Sequence, residues 1–151
     1  MMGDALTTDE GFLLPVRDEE SEPFWEGTRA GELRIQGCGS CGRLRFPPRP
    51  MCPWCRSTVS SWKIMSGRGT VWSFVIPHPP LLPAYGELAP YNVVVVALED
   101  DPSIRLVGNL VADSEAPINS VDPASIEIGQ AVRVAFQPLS DEFTLPRWIR
   151  E

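Results

Sequence analysis

The sequence predicts a mainly β protein, with one short helix, a cysteine-clamped ribbon and a small closed barrel of about five strands. Three observations carry that expectation. Cys38, Cys41, Cys52 and Cys55 fall as two C-x-x-C pairs with ten residues between the inner cysteines. Sixteen prolines and twelve glycines among 151 residues oppose long helices and favour short strands joined by turns. From residue 66 onward, short apolar or alternating runs recur without the intervening helices that a parallel sheet requires.

Taken in order, residues 1–19 are acidic and without period, so a flexible N-terminus is expected, although Phe12, Leu13 and Leu14 form an apolar patch able to dock. Residues 20–31 predict a helix. Ser21 can cap it, Pro23 is tolerated in its first turn, and Glu22 sits near its positive end. Phe24 and Trp25 are its apolar anchors, and Gly27 and Gly31 keep it short.

Residues 32–65 predict the ribbon. A strand around 32–36 enters the first knuckle, Leu44 to Phe46 return from it, and Pro47, Pro48 and Pro50 end the return. Residues 57–65 are β-like, with Trp62 and Ile64 on one face. Each C-x-x-C pair can present two thiolates from a tight turn, and two pairs complete a tetrahedral sulfur shell that suits structural zinc. A thioredoxin-like redox pair would need a βαβ context, which is absent. Two disulfides would suit a secreted protein, but the start MMGDALTTDE lacks a basic region followed by an apolar run. A four-thiolate iron centre stays open, because spacing alone does not choose the metal. A closed four-thiolate shell leaves no position for substrate, so a staple is expected rather than a catalyst.

Residues 66–140 predict the barrel. Thr70 to Ile76 is a strand with Trp72, Phe74 and Ile76 on one face. Tyr91 to Leu98 is apolar without interruption, so both of its faces are expected to be covered, one by the core and one by a helix, the tail or a partner. Ile104 to Ala112 follows, with Gly108 a bend or bulge. SIEIGQ reads as a short strand or turn, and Ala131 to Gln137 alternates with Val132, Val134 and Phe136 inward. This is the size of an oligonucleotide/oligosaccharide-binding (OB) barrel. Residues 141–151 are a tail expected to pack back through Trp148. The loop at residues 77–90 holds five prolines and displays Leu81, Leu82, Tyr85 and Leu88, which either plug the barrel end or meet a partner.

Charge sharpens the picture. Net charge is -7, yet residues 29–68 hold eight bases against the single acid Glu32, a basic island in an acidic chain. Part of that island offsets the net charge of about -2 on a zinc tetrathiolate, and the excess can attract phosphate or an acidic partner. The acidic barrel opposes nucleic-acid binding driven by phosphate neutralisation, which makes a single-stranded nucleic-acid module the weaker alternative. His78 is the only histidine, and no Ser/His/Asp set or phosphate loop can be assembled, so no catalytic residue is assigned. No apolar stretch is long enough to span a bilayer, and a cytoplasmic location is expected.

FWEGTRAGELRIQGCGSCGRLRFPPRPMCPWC, then SGRGTVWSF, PYNVVVVALED and GQAVRVAFQPLSDEFTLPRW, together resemble the zinc-ribbon/OB-fold proteins of the DUF35 family over residues 20–149. The resemblance implies an N-terminal helix, a rubredoxin-like ribbon whose metal cysteines match Cys38, Cys41, Cys52 and Cys55, and an OB barrel. It implies an association with acyl-CoA metabolism beside thiolase-like proteins, including lipid-transfer-type aldolases that cleave steroid side chains. The expectation is an accessory subunit, not catalytic alone, that binds such an enzyme in a hetero-oligomer and helps it use an acyl-CoA. A stand-alone acyl-CoA-binding protein is the alternative. Arg43, Arg45, Arg49 and Arg56 are the candidate contacts to CoA phosphates or to an acidic partner surface, on grounds of charge alone.

Overall fold

The computed structural model describes residues 7–151, so part of the N-terminal stretch expected to be flexible, residues 1–6, lies outside the described residues. Helix α1 spans Glu22–Arg29. Its start is fixed less by the Ser21 hydroxyl, which makes no cap bond, than by Asp18, whose carboxylate accepts from the Ser21 N–H at 2.7 Å. The buried Phe24 ring meets Trp25 edge-on at 4.9 Å and Phe46 at 5.7 Å, while Trp25 meets Phe143 edge-on at 5.2 Å. One short helix thereby wedges between the ribbon and the barrel, and aromatic area rather than propensity holds it.

Three antiparallel strands build the ribbon: β1 (Arg34–Cys38), β2 (Leu44–Arg45) and β3 (Ser60–Ile64), in the order β2-β1-β3. Ile35 is fully buried, Trp62 packs partly against the core, and Ile64 points to solvent. The barrel sheet holds β4 (Arg68–Val75), β5 (Val93–Leu98), β6 (Arg105–Gly108), β7 (Ala131–Pro138) and β8 (Thr144–Arg150), in the antiparallel order β6-β5-β4-β7-β8. Closure comes from the residues after β6. Leu110 bridges Trp148 in parallel, the Val111 N–H donates to the Trp148 carbonyl at 2.8 Å, and the Trp148 N–H donates to Asn109 at 3.0 Å. Buried Asn92 seals this join, accepting from the Leu110 N–H at 2.7 Å and donating to the Leu110 carbonyl at 2.9 Å.

Two sequence expectations change here. SIEIGQ takes the turn of its two readings, following a 3-10 turn at Pro123–Ser125, and the fifth strand is instead TLPRWIR, from the stretch read as a tail. Pro146 is compatible with β8 because the strand pairs with only one full neighbour, β7. In β4, Trp72 does not share a face with Phe74. The pairing with β5 slips between Val71 and Ser73, and this bulge reverses the strand's phase. Val71 is buried, Trp72 points outward, and Phe74 packs inward again.

Among the described residues one main core links the ribbon and the barrel, beside a small second cluster of Val111, Ala135 and Ile149. Phe24, Leu33, Ile35 and Met65 from the helix and ribbon join Val71, Val94, Val96, Leu98, Leu106, Leu110, Val132 and Trp148 from the barrel. The register with β5 runs through Gly108 without a bulge, and glycine is needed there for packing, since a Cβ would lie 3.0 Å from the Trp148 indole. Tyr85, in helix α2 (Pro83–Gly86) of the proline-rich loop, is covered by the N-terminal segment. Phe12 meets it edge-on at 5.2 Å, and the Leu13 N–H donates to its hydroxyl at 3.1 Å. Leu82 of the same loop stays exposed.

Candidate metal centre and docking surfaces

The two knuckles are built alike. In the first, the Cys38 N–H donates to the Arg43 carbonyl at 2.9 Å and the Gly42 N–H donates back to Cys38 at 3.0 Å. In the second, Cys52 donates to Ser57 and Arg56 donates back to Cys52, both at 2.9 Å. Each turn closes only if the residue after its second cysteine takes a positive φ. Gly42 has φ 77° and Arg56 has φ 64°. Glycine is at ease there, whereas arginine is strained by roughly 1–2 kcal/mol.

The four Sγ atoms lie within 4.8 Å of one another, with Cys38 to Cys55 at 3.4 Å and Cys41 to Cys52 at 3.7 Å. A zinc–sulfur bond of about 2.3 Å in a tetrahedron puts neighbouring sulfurs about 3.8 Å apart, so the shell fits a zinc ion. These separations are far beyond the roughly 2.05 Å of a disulfide, and all four cysteines are free thiols. Without metal, the Cys38 thiol is pulled down to about 6, first by the Cys41 N–H and then by that of Ser40. Cys52 is lowered in the same way, chiefly by the Cys55 N–H. At Cys55 the Ser57 N–H pulls downward, but hydrogen bonding to the Cys38 thiol, burial and the Cys52 and Cys41 thiols together outweigh it and raise this thiol to about 11. Backbone donors thus favour the thiolate at the first cysteine of each pair. A zinc ion there would supply a cross-link between the knuckles, with every ligand position filled by this chain.

The four candidate arginines do not form one patch. Arg43 lies over the exposed Trp54 ring, with its guanidinium carbon 5.3 Å from the centroid. Arg49 and Arg56 are exposed. Arg45 is only 3% exposed; its Nε donates to Gln36 Oε1 at 2.8 Å and its Nη2 to the Arg49 carbonyl at 3.0 Å. It braces the proline-rich return strand from within and presents no cation to a ligand. Of the other ribbon bases, Arg34 pairs with Glu32 at 2.7 Å.

Sequence reasoning expected a cover over the outer face of one strand without locating the surface, and missed a second surface altogether. The outer face of β4-β5-β6 carries Trp72, Val75 and Val107, each at least half exposed, beside the half-buried Val93 and Val95. Val75 pairs with Val93 and Val95 with Val107, so these side chains are neighbours; Arg105 stacks on Trp72 at 3.9 Å. The second surface is a groove of about 490 Å³ between α1, the ribbon at Phe46–Pro48, and strands β6 and β8. The Tyr91 to Leu98 apolar run was the available signal for the first. No pattern announced the groove, which exists only where helix, ribbon and barrel meet.

Fold and thiolate site together define a rubredoxin-like zinc-ribbon chain joined to an OB barrel. The chain belongs to the DUF35 family. Residues 25–60 match the family model for the ChsH2 rubredoxin-like zinc ribbon domain, and residues 62–137 that for the ChsH2 C-terminal OB-fold domain. It is 34% identical over 139 residues to the 3-oxo-4,17-pregnadiene-20-carboxyl-CoA hydratase alpha subunit of Mycobacterium tuberculosis, covering 92% of this chain and 40% of that one. It therefore spans about two fifths of that relative. A DUF35 domain-containing scaffold protein of Methanothermobacter thermautotrophicus is 32% identical, with 70% of this chain and 71% of that protein covered. Among solved structures, a chain of the Ltp2-ChsH2(DUF35) aldolase superposes with TM-score 0.77 at 33% identity, over 91% of this chain and 98% of that one.

Proposed function

We propose that this protein is an accessory subunit that binds a thiolase-like enzyme and supports its handling of an acyl-CoA, including aldol cleavage of a steroid or fatty acyl side chain. One observation carries the reading: Trp72, Val75 and Val107, adjacent on the outer face of the barrel, are each at least half exposed. Adjacent exposed apolar side chains of this kind mark contact sites, and depletion of charge at the centre suits a stable interface. The likeness to a chain of an aldolase assembly supports the same reading. The nucleophile, acid and base come from the partner. This chain supplies a zinc-stapled, rigid surface, and Arg43, Arg49 and Arg56 face CoA phosphates or acidic partner groups.

Co-purification of the zinc-loaded protein with any thiolase-like enzyme found encoded near it tests the proposal. A stable complex whose aldolase or acyl-transfer rate exceeds that of the enzyme alone is expected. An enzyme fully active alone that forms no complex refutes it. Calorimetry with CoA then separates direct CoA contact from pure scaffolding.

A further inference from the structure

Arg147, on β8, borders the 490 Å³ groove and two further cavities of about 230 and 620 Å³. Its guanidinium is held on two sides, with Nε donating to Gln137 Oε1 at 3.0 Å and Nη1 donating to Asn109 Oδ1. Both acceptors are themselves fixed. The Gln137 amide donates to the carbonyls of Ser114 at 3.1 Å and Ala116 at 2.9 Å, and the Asn109 amide donates to the Asn92 carbonyl at 2.6 Å. These anchors keep both amide oxygens turned toward the guanidinium, so its orientation is set before any ligand arrives.

What the site lacks is a negative charge. Among the described residues, no carboxylate lies within 4.0 Å of Arg147; the ion pairs there belong to Arg17, Arg34 and Arg68. Asp18 and Glu20 line the groove, and Glu10 and Glu115 line the 620 Å³ cavity, but the 230 Å³ chamber has no acid in its wall. Its wall is mostly apolar, with Phe12, Tyr85, Tyr91, Val93, Ile118 and Leu145 among its lining residues. Burial holds the guanidinium below its ordinary value, as expected for a cation withdrawn from water without a counter-charge. Nη2 makes no hydrogen bond to the described residues, which leaves donors for a planar anion.

One fixed guanidinium amid apolar walls suits a singly charged planar head on a hydrocarbon body better than a multiply charged phosphate. We propose that the chamber beside Arg147 binds an amphipathic organic acid. Its carboxylate pairs with the guanidinium and its hydrocarbon part lies against Phe12, Tyr85, Tyr91 and Ile118. This inference does not rest on the partner reading above.

The test titrates the zinc-loaded chain with decanoate, decanol and sulfate, read by calorimetry and by the guanidinium 15N resonance of Arg147. Saturable decanoate binding that shifts this resonance is expected, with decanol and sulfate weaker by about tenfold or more. Arg147→Met should lower decanoate affinity by about ten- to a hundredfold. An unmoved Arg147 resonance, or decanol binding as tightly as decanoate, overturns the proposal. If Arg147→Met fails to fold, the wild-type resonance and the acid-against-alcohol comparison still decide the matter.

Discussion

Gly42 and Arg56 occupy equivalent places after the second cysteine of each knuckle, yet only one of them is suited to its backbone. Arg56→Gly relieves a positive φ at the cost of a more flexible unfolded chain, so a net stabilisation of about 0.5–1 kcal/mol is expected by denaturant titration. The same substitution tests whether Arg56 meets phosphate, because CoA affinity would fall while stability rose. Cys52 is fully buried, and Cys52→Ser replaces a thiolate with a poor zinc ligand. Metal analysis is expected to find zinc near one per chain in the parent and largely lost in the variant. Near-stoichiometric iron in the parent would reject zinc. The cysteines could be read from the sequence because four thiols at this spacing have few other uses. Arg45 could not be distinguished from Arg43 by charge, since only the fold shows which side of the proline-rich return strand each side chain occupies.

At the level of elements, the β8 strand shows both the strength and the limit of pattern reading. Trp148 was recognisable as a packing residue, but TLPRWIR does not alternate cleanly as Ala131 to Gln137 does, and Pro146 interrupts it. Trp148 is fully buried against Gly108 and beside Leu110, so Trp148→Ala is expected to cost about 3–5 kcal/mol by thermal or chemical unfolding. The bulge in β4 was hidden for a related reason. Alternation predicts a constant phase, and one inserted residue reverses every position after it. The start of α1 carries a pH signature. Asp18 is held below the usual carboxylate range, first by the Ser21 hydroxyl and then by the Ser21 N–H. A depressed folded-state pKa means that this contribution is present above the ordinary carboxylate range and lost as pH falls through the lowered value. Amide exchange at Ser21 and Glu22, corrected for intrinsic rates, is expected to quicken relative to the barrel core in that acid window, and Asp18→Asn should remove most of the pH dependence.

At the scale of the whole molecule, the ribbon and barrel share one core and α1 is wedged between them, so the exposed surfaces are held in fixed relation. Val107→Asp on the outer face changes a side chain that is 65% exposed, and stability is expected to shift by no more than about 0.5 kcal/mol. Complex formation with the thiolase-like partner should weaken by about tenfold or more, measured by surface plasmon resonance. Full retention of the complex would move the docking surface elsewhere, with the Trp54 and Arg43 side of the ribbon the next place to look. The modular order of helix, ribbon and barrel was legible because each module has its own period or spacing. Their common core was not, because Phe24, Ile35 and Met65 carry no local mark of what they will touch.

The parallel join between Leu110 and Trp148 also sets an order of events. The ribbon pairs residues close in sequence, such as Gln36 with Arg45, whereas the barrel must bring Gly69 to Val132 and Leu110 to Trp148. Local pairings form early and distant ones late. A nascent chain can therefore clamp its metal while the barrel is still an open sheet, with the β6 edge and the Leu110–Val111 segment after it waiting for β8. During that interval the molecule is most exposed to aggregation, and a chaperone or an early-arriving partner would have most to protect.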